Sequence, residues 1–234
     1  MGPTGGAREL GTPLFLLNLK SYLPALGNGA LAIGRNLEEA GRRHRVSTAI
    51  APSAASLGVL SRELRIPVLA QHVDPLEPGA RTGFLIPASL SATGVAGSLL
   101  NHSEHPIPPA QVLETSKMLR ASGLVSIVCS GDLAAATRLA RASRPPFLAI
   151  EPPELIGGSV SVSVARPEIV RGAVERVRRV SPRTRVLCGA GVKTGEDVRR
   201  AIELGAEGIL VSSAVAAAQN PAAAIAELMR GFKA

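Results

Sequence analysis

Eight short apolar runs recur along the chain, and each is followed by a polar loop and a segment with helical spacing. The runs occupy residues 14–18, 46–51, 67–71, 96–101, 124–129, 147–151, 185–189 and 208–212. Their residues are apolar in succession rather than alternating with polar ones, which is typical of parallel strands covered on both faces. The repetition therefore predicts successive βα units from one end of the chain to the other.

Helical patterns fill the segments between these runs. The segment PEIVRGAVERVRR begins at Pro167, a residue suited to a first helical turn, and further helices are predicted at 132–141, 195–204 and 221–229, with a short one at 85–92. Eight βα units in one domain predict an α/β fold of the (β/α)8 barrel type, with a doubly wound open sheet as the alternative. The 234 residues suit one barrel domain over 1–234, with residues 1–13 as an N-terminal extension.

Charge and aromatic content bear on which partners the chain can take. The net charge of +8 is compatible with nucleic acid, but the arginines are scattered through the predicted helices, with short clusters only at 42–45 and 176–185. One Tyr and four Phe offer little for bases to stack on. We therefore expect a solvated basic surface and no nucleic-acid partner.

Neither a signal peptide nor an apolar window long enough to cross a membrane is found in the sequence. This predicts a soluble, cytoplasmic protein that makes no membrane contact.

A packed polar cluster, LLNHSEHP at 99–106, follows the fourth predicted strand. A metal site needs three or four suitably spaced ligands, and this cluster does not supply them. Cys129 and Cys188 lie in apolar runs, as is expected of buried thiols. We therefore expect no metal. A short helical turn starting at Ser103 would instead direct its backbone N–H groups towards His102 and keep that imidazole neutral.

Polar side chains also follow the first and sixth predicted strands, where a barrel of this type places its chemistry. Strand alternation puts Asn18 and Lys20 on the same side. The Lys20 ammonium suits a phosphate or a developing oxyanion, and the alternative is a solvated charge. Glu151 ends an apolar strand, where a carboxylate is costly without a use or a partner, so the alternative to a functional role is a salt bridge to a nearby Arg or Lys.

Three further segments at the predicted strand ends are rich in glycine or small residues. The prolines after Glu151, followed by Gly157 and Gly158, predict a mobile lid at 152–158. The loops CGAGVKTGED and VSSAVA follow strands seven and eight, and their small residues let backbone N–H groups approach an anion. The spacing G-x-G-x-x-x-G differs from that of a dinucleotide-binding loop, so it is weak evidence for a dinucleotide site.

The ordered motifs N-x-K, QHVDP, NHSEH, AIEPPELIG, CGAGVKTGEDV and GILVSS resemble the triosephosphate isomerase family in its short, archaeal type, from Phe15 to Met229. The resemblance implies a TIM barrel that interconverts dihydroxyacetone phosphate and D-glyceraldehyde 3-phosphate by proton transfer through an enediolate, in glycolysis and gluconeogenesis. It also implies a phosphorylated triose as substrate, no metal or organic cofactor, and a homotetramer.

The same resemblance implies a role for each site residue. Glu151 would be the base, neutral His102 would polarise the carbonyl oxygens, and Lys20 would stabilise the enediolate and the phosphate. The implied substrate-binding residues are Asn18, Lys20, Ile156, Gly157, Gly191, Ser212 and Ser213. One departure is the end of the lid, where the family has G-T-G and this chain has Gly157-Gly158-Ser159.

Two other functions are compatible with parts of the pattern. Another phosphate-binding barrel, of amino-acid or thiamine biosynthesis, would share the last two loops, but Glu151, His102 and Lys20 together argue against it. A basic nucleic-acid-binding protein that kept an isomerase scaffold is the alternative from a different class, and it predicts salt-dependent retention on DNA without isomerase turnover.

Overall fold

The computed structural model describes residues 10–152 and 161–232, and within them eight strands form one parallel sheet. The order is β2-β1-β8-β7-β6-β5-β4-β3. The two ends meet where Ile50 bridges Val68 and its N–H donates to the carbonyl of Pro67 at 3.1 Å. The sheet therefore closes into a barrel, which confirms the predicted (β/α)8 fold over the open sheet. The strands are β1 Leu14–Asn18, β2 Ser47–Ala51, β3 Leu69–Ala70, β4 Gly97–Leu100, β5 Val125–Ser130, β6 Phe147–Ile150, β7 Arg185–Cys188 and β8 Gly208–Val211.

Helices follow the strands and cover the outside of the barrel. They are α1 Asn28–His44, α2 Leu57–Glu63, α3 Pro87–Ala92, α4 Pro109–Ala121, α5 Leu133–Ser143, α6 Val162–Ala165, α7 Pro167–Val180, α8 Gly195–Glu203, α9 Ser213–Ala216 and α10 Pro221–Met229. Asp132 is the N-cap of α5, not its first residue, because its side chain accepts from the Ala135 N–H at 2.7 Å. In the described ranges, no helix is both long and apolar enough to cross a bilayer.

The predicted strand 67–71 shrinks to Leu69–Ala70, whereas the other seven agree with their predicted bounds to within one residue at each end. The β3 ladder is short because it pairs with β4 over only two residues and meets β2 through the single bridge. Gln71, which follows it, uses its side chain to bond the backbone of the neighbouring first and second units.

Alternation along each strand divides the core into two layers. Leu14 and Leu16 face the barrel interior, while Phe15 and Leu17 pack under the helices. In β6 the inward residues are Phe147 and Ala149, so the next inward position is that of Glu151. The fold thus delivers a carboxylate to the carboxyl-terminal mouth of the barrel.

The opposite end of the barrel is closed by the start of the described chain. Leu10 belongs to the interior cluster, and its carbonyl accepts a hydrogen bond from Arg185 at 3.3 Å. Residues 1–9 of the predicted extension lie outside the described residues.

Candidate active site

A cavity of about 220 Å³ opens at the carboxyl ends of the strands. Seven of the predicted site residues line it: Asn18, Lys20, His102, Glu151, Gly191, Ser212 and Ser213. Ile156 and Gly157, with the rest of the predicted lid from residue 153 to 158, lie outside the described residues. The first, fourth, sixth, seventh and eighth βα units therefore contribute to one site.

Glu151 is buried in this cavity, with 7% of its surface exposed. Its Oε1 lies 3.9 Å from Nε2 of His102, and its Oε2 is buried without a hydrogen-bond partner in the described part of the chain. No Arg or Lys of the described ranges lies within 4 Å of this carboxylate, so the salt-bridge alternative has no partner there. Burial raises the pKa of Glu151, and the Cys129 thiol and the Lys20 charge only partly offset it. A carboxylate with a raised pKa is a stronger base.

The wall beside this carboxylate is built from small groups. A Cβ placed on Gly189 would lie 2.4 Å from Cγ of Glu151, so this position has room only for hydrogen. Cys129 and Cys188 are free and buried, as predicted. Burial raises the pKa of the Cys188 thiol to about 12, and burial and then the Glu151 charge raise that of Cys129, so both thiols stay protonated at neutral pH.

His102 sits in a tight turn that determines which ring nitrogen carries the proton. The Glu104 N–H points at Nδ1 of His102 at 3.2 Å, and the His105 N–H donates to the His102 carbonyl at 2.8 Å. The prediction that N–H groups point towards His102 is confirmed, although 103–105 form a turn and no helix begins until Pro109. Because Nδ1 accepts this hydrogen bond, the neutral ring keeps its proton on Nε2, which faces Glu151.

Asn101 holds the start of that turn. Its φ is 60°, a left-handed conformation that asparagine tolerates better than most residues. Its side chain donates to the Cys129 carbonyl at 3.0 Å and accepts from the Ile107 N–H at 3.1 Å. The side-chain bonds stabilise the loop that presents His102.

Lys20 lies after the end of β1, so its side chain is positioned in the cavity by a turn and not by strand alternation. β1 ends at Asn18, and Lys20 has a left-handed φ of 48°, so the argument from alternation is wrong although both side chains do line the cavity. The Asn18 side chain accepts the Lys20 N–H at 3.0 Å, and Gln71 donates to the Lys20 carbonyl at 3.0 Å. Nζ of Lys20 then lies 2.6 Å from Oε1 of Glu104.

The turn after β7 is organised by one carboxylate. Asp197 accepts the N–H groups of Lys193 and Thr194 at 3.0 and 2.9 Å, and the Ser161 hydroxyl at 2.6 Å. Partial burial by itself would raise the pKa of Asp197, but these hydrogen bonds outweigh it and hold that pKa below its ordinary value. Within the turn, Gly191 has a φ of 73°, which glycine adopts without strain.

A triosephosphate isomerase family model matches residues 13–229 of this sequence. The chain belongs to the triosephosphate isomerase family. Archaeal members resemble it throughout: that of Methanothermus fervidus is 40% identical over 217 residues, covering 93% of this chain and 97% of the relative. The Cenarchaeum symbiosum enzyme is 43% identical over 221 residues, covering 94% and 98%. A crystal structure of triosephosphate isomerase from Bartonella henselae has the same fold, with a TM-score of 0.70 at 18% identity, covering 86% of this chain and 92% of that one.

In this member of the triosephosphate isomerase family, seven residues predicted from the sequence line one cavity at the strand ends, but the groups that hold them in place are not predicted. No sequence pattern assigns a partner to Glu104, yet it pairs with Lys20 across 84 positions. No role is predicted for Asp197, and Gly189 is predicted only as one of the small residues that let backbone N–H groups approach an anion. The acidic residue in the first turn of a helix after a glycine loop was a usable signal for Asp197, whereas no local pattern marks Gly189 as the neighbour of Glu151.

Proposed function

We propose that this chain interconverts dihydroxyacetone phosphate and D-glyceraldehyde 3-phosphate, with Glu151 and His102 as the acid–base pair. The observation that carries the proposal is the meeting of a buried carboxylate and an imidazole nitrogen 3.9 Å apart in one cavity, in a chain of this family. That separation leaves the two groups side by side, each able to address a different atom of a small substrate.

In this mechanism the Glu151 carboxylate takes a proton from the carbon next to the carbonyl, and the electron pair moves into an enediolate. Nε2–H of His102 donates to the oxygen where negative charge develops. The Lys20 ammonium stabilises the same charge, and Asn18 orients the substrate. His102 gives its Nε2 proton to the former carbonyl oxygen and takes the hydroxyl proton from the neighbouring oxygen, which becomes the new carbonyl oxygen. Glu151 returns its proton to the adjacent carbon, so the substrate is isomerised and both side chains are regenerated.

The phosphate would bind at the far end of the cavity. Gly191, Ser212 and Ser213 line the cavity, and the buried Ser212 hydroxyl has no hydrogen-bond partner in the described part of the chain. An orphaned buried hydroxyl is costly unless a ligand satisfies it, which supports an anion there. Ile156 and Gly157 of the predicted lid complete our proposed set of binding residues.

The same proposal covers the setting of the reaction. Side chains supply the acid, the base and the cation, so the chemistry requires no metal or organic cofactor. We propose that the enzyme serves glycolysis and gluconeogenesis in the cytoplasm as a homotetramer and has no nucleic-acid partner. Sedimentation of the purified chain measures the oligomeric state, and a monomer or dimer would contradict the tetramer.

A coupled isomerase assay tests the activity. We expect turnover by the purified chain and a loss of about 10²- to 10⁴-fold in kcat for Glu151→Gln, since that substitution removes the base. Glu114→Gln, an exposed carboxylate on α4, is the matched control and should retain full activity. An inactive parent refutes the function, and an active Glu151→Gln variant removes Glu151 from its assigned role.

A further inference from the structure

The wall of the cavity carries two lysines, and only one of them has an ion-pair partner among the described residues. Among the described residues, the lysine and carboxylate side chains that line the cavity are Lys20, Glu104, Glu151 and Lys193. Lys20 is held by Glu104 at 2.6 Å, so these two charges offset each other. Glu151 would then leave the site negative, and Lys193 restores neutrality. A phosphate monoester brings up to two further negative charges to this site.

The position of Lys193 is fixed by its backbone and not by its side chain. It lies two residues after Gly191 on the turn that follows β7, and its N–H donates to Asp197 at 3.0 Å. The Asp197 carboxylate is occupied by that N–H, by Thr194 and by Ser161. The side chain of Lys193 is exposed and has no ion pair or hydrogen bond with any residue in the ranges the structure describes.

We propose that Lys193 is a substrate-binding residue whose ammonium attracts the phosphate of the triose and holds it beside Gly191. The inference rests on the proposed function and adds a cation to its phosphate site. An ammonium on a flexible stem acts as a point charge, so it needs no fixed partner geometry before the substrate arrives. Long-range attraction of this kind raises the association rate of charged substrates.

The size of the effect follows from Coulomb's law. One unit charge about 10 Å from a dianion in water changes binding about fourfold, and a closer approach changes it more. At about 0.01 M salt the Debye length is about 30 Å, so the attraction between Lys193 and the phosphate is retained. At about 1 M salt the Debye length is about 3 Å, so the same attraction is screened. The contribution of Lys193 should therefore be large at low ionic strength and small at high ionic strength.

The test compares three variants with the parent chain. Lys193→Gln should lower kcat/KM about four- to tenfold at about 0.01 M salt, leave kcat nearly unchanged, and weaken competitive inhibition by inorganic phosphate by a similar factor. The difference should nearly disappear at about 1 M salt. Lys193→Arg should restore most of the loss. Lys117→Gln, an exposed lysine on α4, removes the same charge outside the cavity and should behave as the parent.

Two results would overturn the proposal: a Lys193→Gln variant with the parent's phosphate inhibition and salt dependence, or an equal loss in Lys117→Gln. Calorimetric titration with inorganic phosphate tests the role of Lys193 independently of isomerase activity, because it measures anion binding without turnover. If the parent turns over no triose phosphate, the isomerase assignment fails, while weaker phosphate binding by Lys193→Gln would still support the cation site.

Discussion

Gly189→Ala is expected to disable Glu151 by displacing its side chain, although Glu151 itself is not substituted. The added Cβ would lie 2.4 Å from Cγ of Glu151 and 3.0 Å from its Cδ and Oε1, and the first distance falls 1.0 Å short of the 3.4 Å at which ordinary contacts begin. Gly189 has no left-handed φ, so the backbone accepts alanine and the clash alone acts. The carboxylate must move by about 1 Å, and a misplacement of that size costs about 10²-fold in rate.

The coupled isomerase assay measures this loss, which should fall on kcat rather than on inhibition by inorganic phosphate, because the phosphate end of the cavity is unchanged. Overpacking should also lower stability by about 1–3 kcal/mol, measured by thermal or denaturant unfolding. Gly58→Ala is the matched control: its nearest neighbour would be 3.6 Å away, and alanine within α2 should stabilise by about 0.5–1 kcal/mol. A folded Gly189→Ala variant with parental kcat would refute the reasoning.

Three further predictions concern charge and protonation. Burial raises the pKa of Glu151 above 4.5 in the folded state, so ionising this carboxyl lowers the free energy of unfolding as pH rises from 4.5 through the folded pKa. Denaturant unfolding should therefore show Glu151→Gln to be more stable than the parent above the folded pKa and equal to it below pH 4.5. The ¹⁵N spectrum of His102 at neutral pH should show an unprotonated Nδ1 and a protonated Nε2, and the opposite tautomer would contradict the hydrogen bond from Glu104. Asp197→Asn should destabilise the fold by about 1 kcal/mol and raise KM. Because the pKa of Asp197 is lowered from 3.8 in the folded state, the whole difference in unfolding free energy between parent and variant should be present above pH 3.8. It should shrink as pH falls through the folded pKa of Asp197.

Much of the architecture was predictable because it depends on local pattern. A strand buried on both faces has a continuous apolar run, and a helix buried on one face has apolar residues at helical spacing. Both elements can therefore be identified from the order of apolar and polar residues. In β6, Phe147 and Ala149 face the barrel interior, so alternation along the strand predicts that Glu151, two residues further on, faces the mouth of the barrel. The positions of Asn18, His102 and Glu151 at strand ends follow from the same reasoning, and all three line one cavity.

Contacts between units were decided only by the tertiary structure. The pairing of Lys20 with Glu104, the fit of Gly189 against Glu151 and the bridge from Ile50 to Val68 each join segments far apart in the chain. Residue order specifies which side of a strand a residue occupies, but strand tilt, register and the closing of the barrel set the distances between strands. A left-handed residue such as Lys20 also interrupts the alternation. Its conformation is held by the hydrogen bond that its N–H donates to Asn18 and by the one that its carbonyl accepts from Gln71, and not by its own preference.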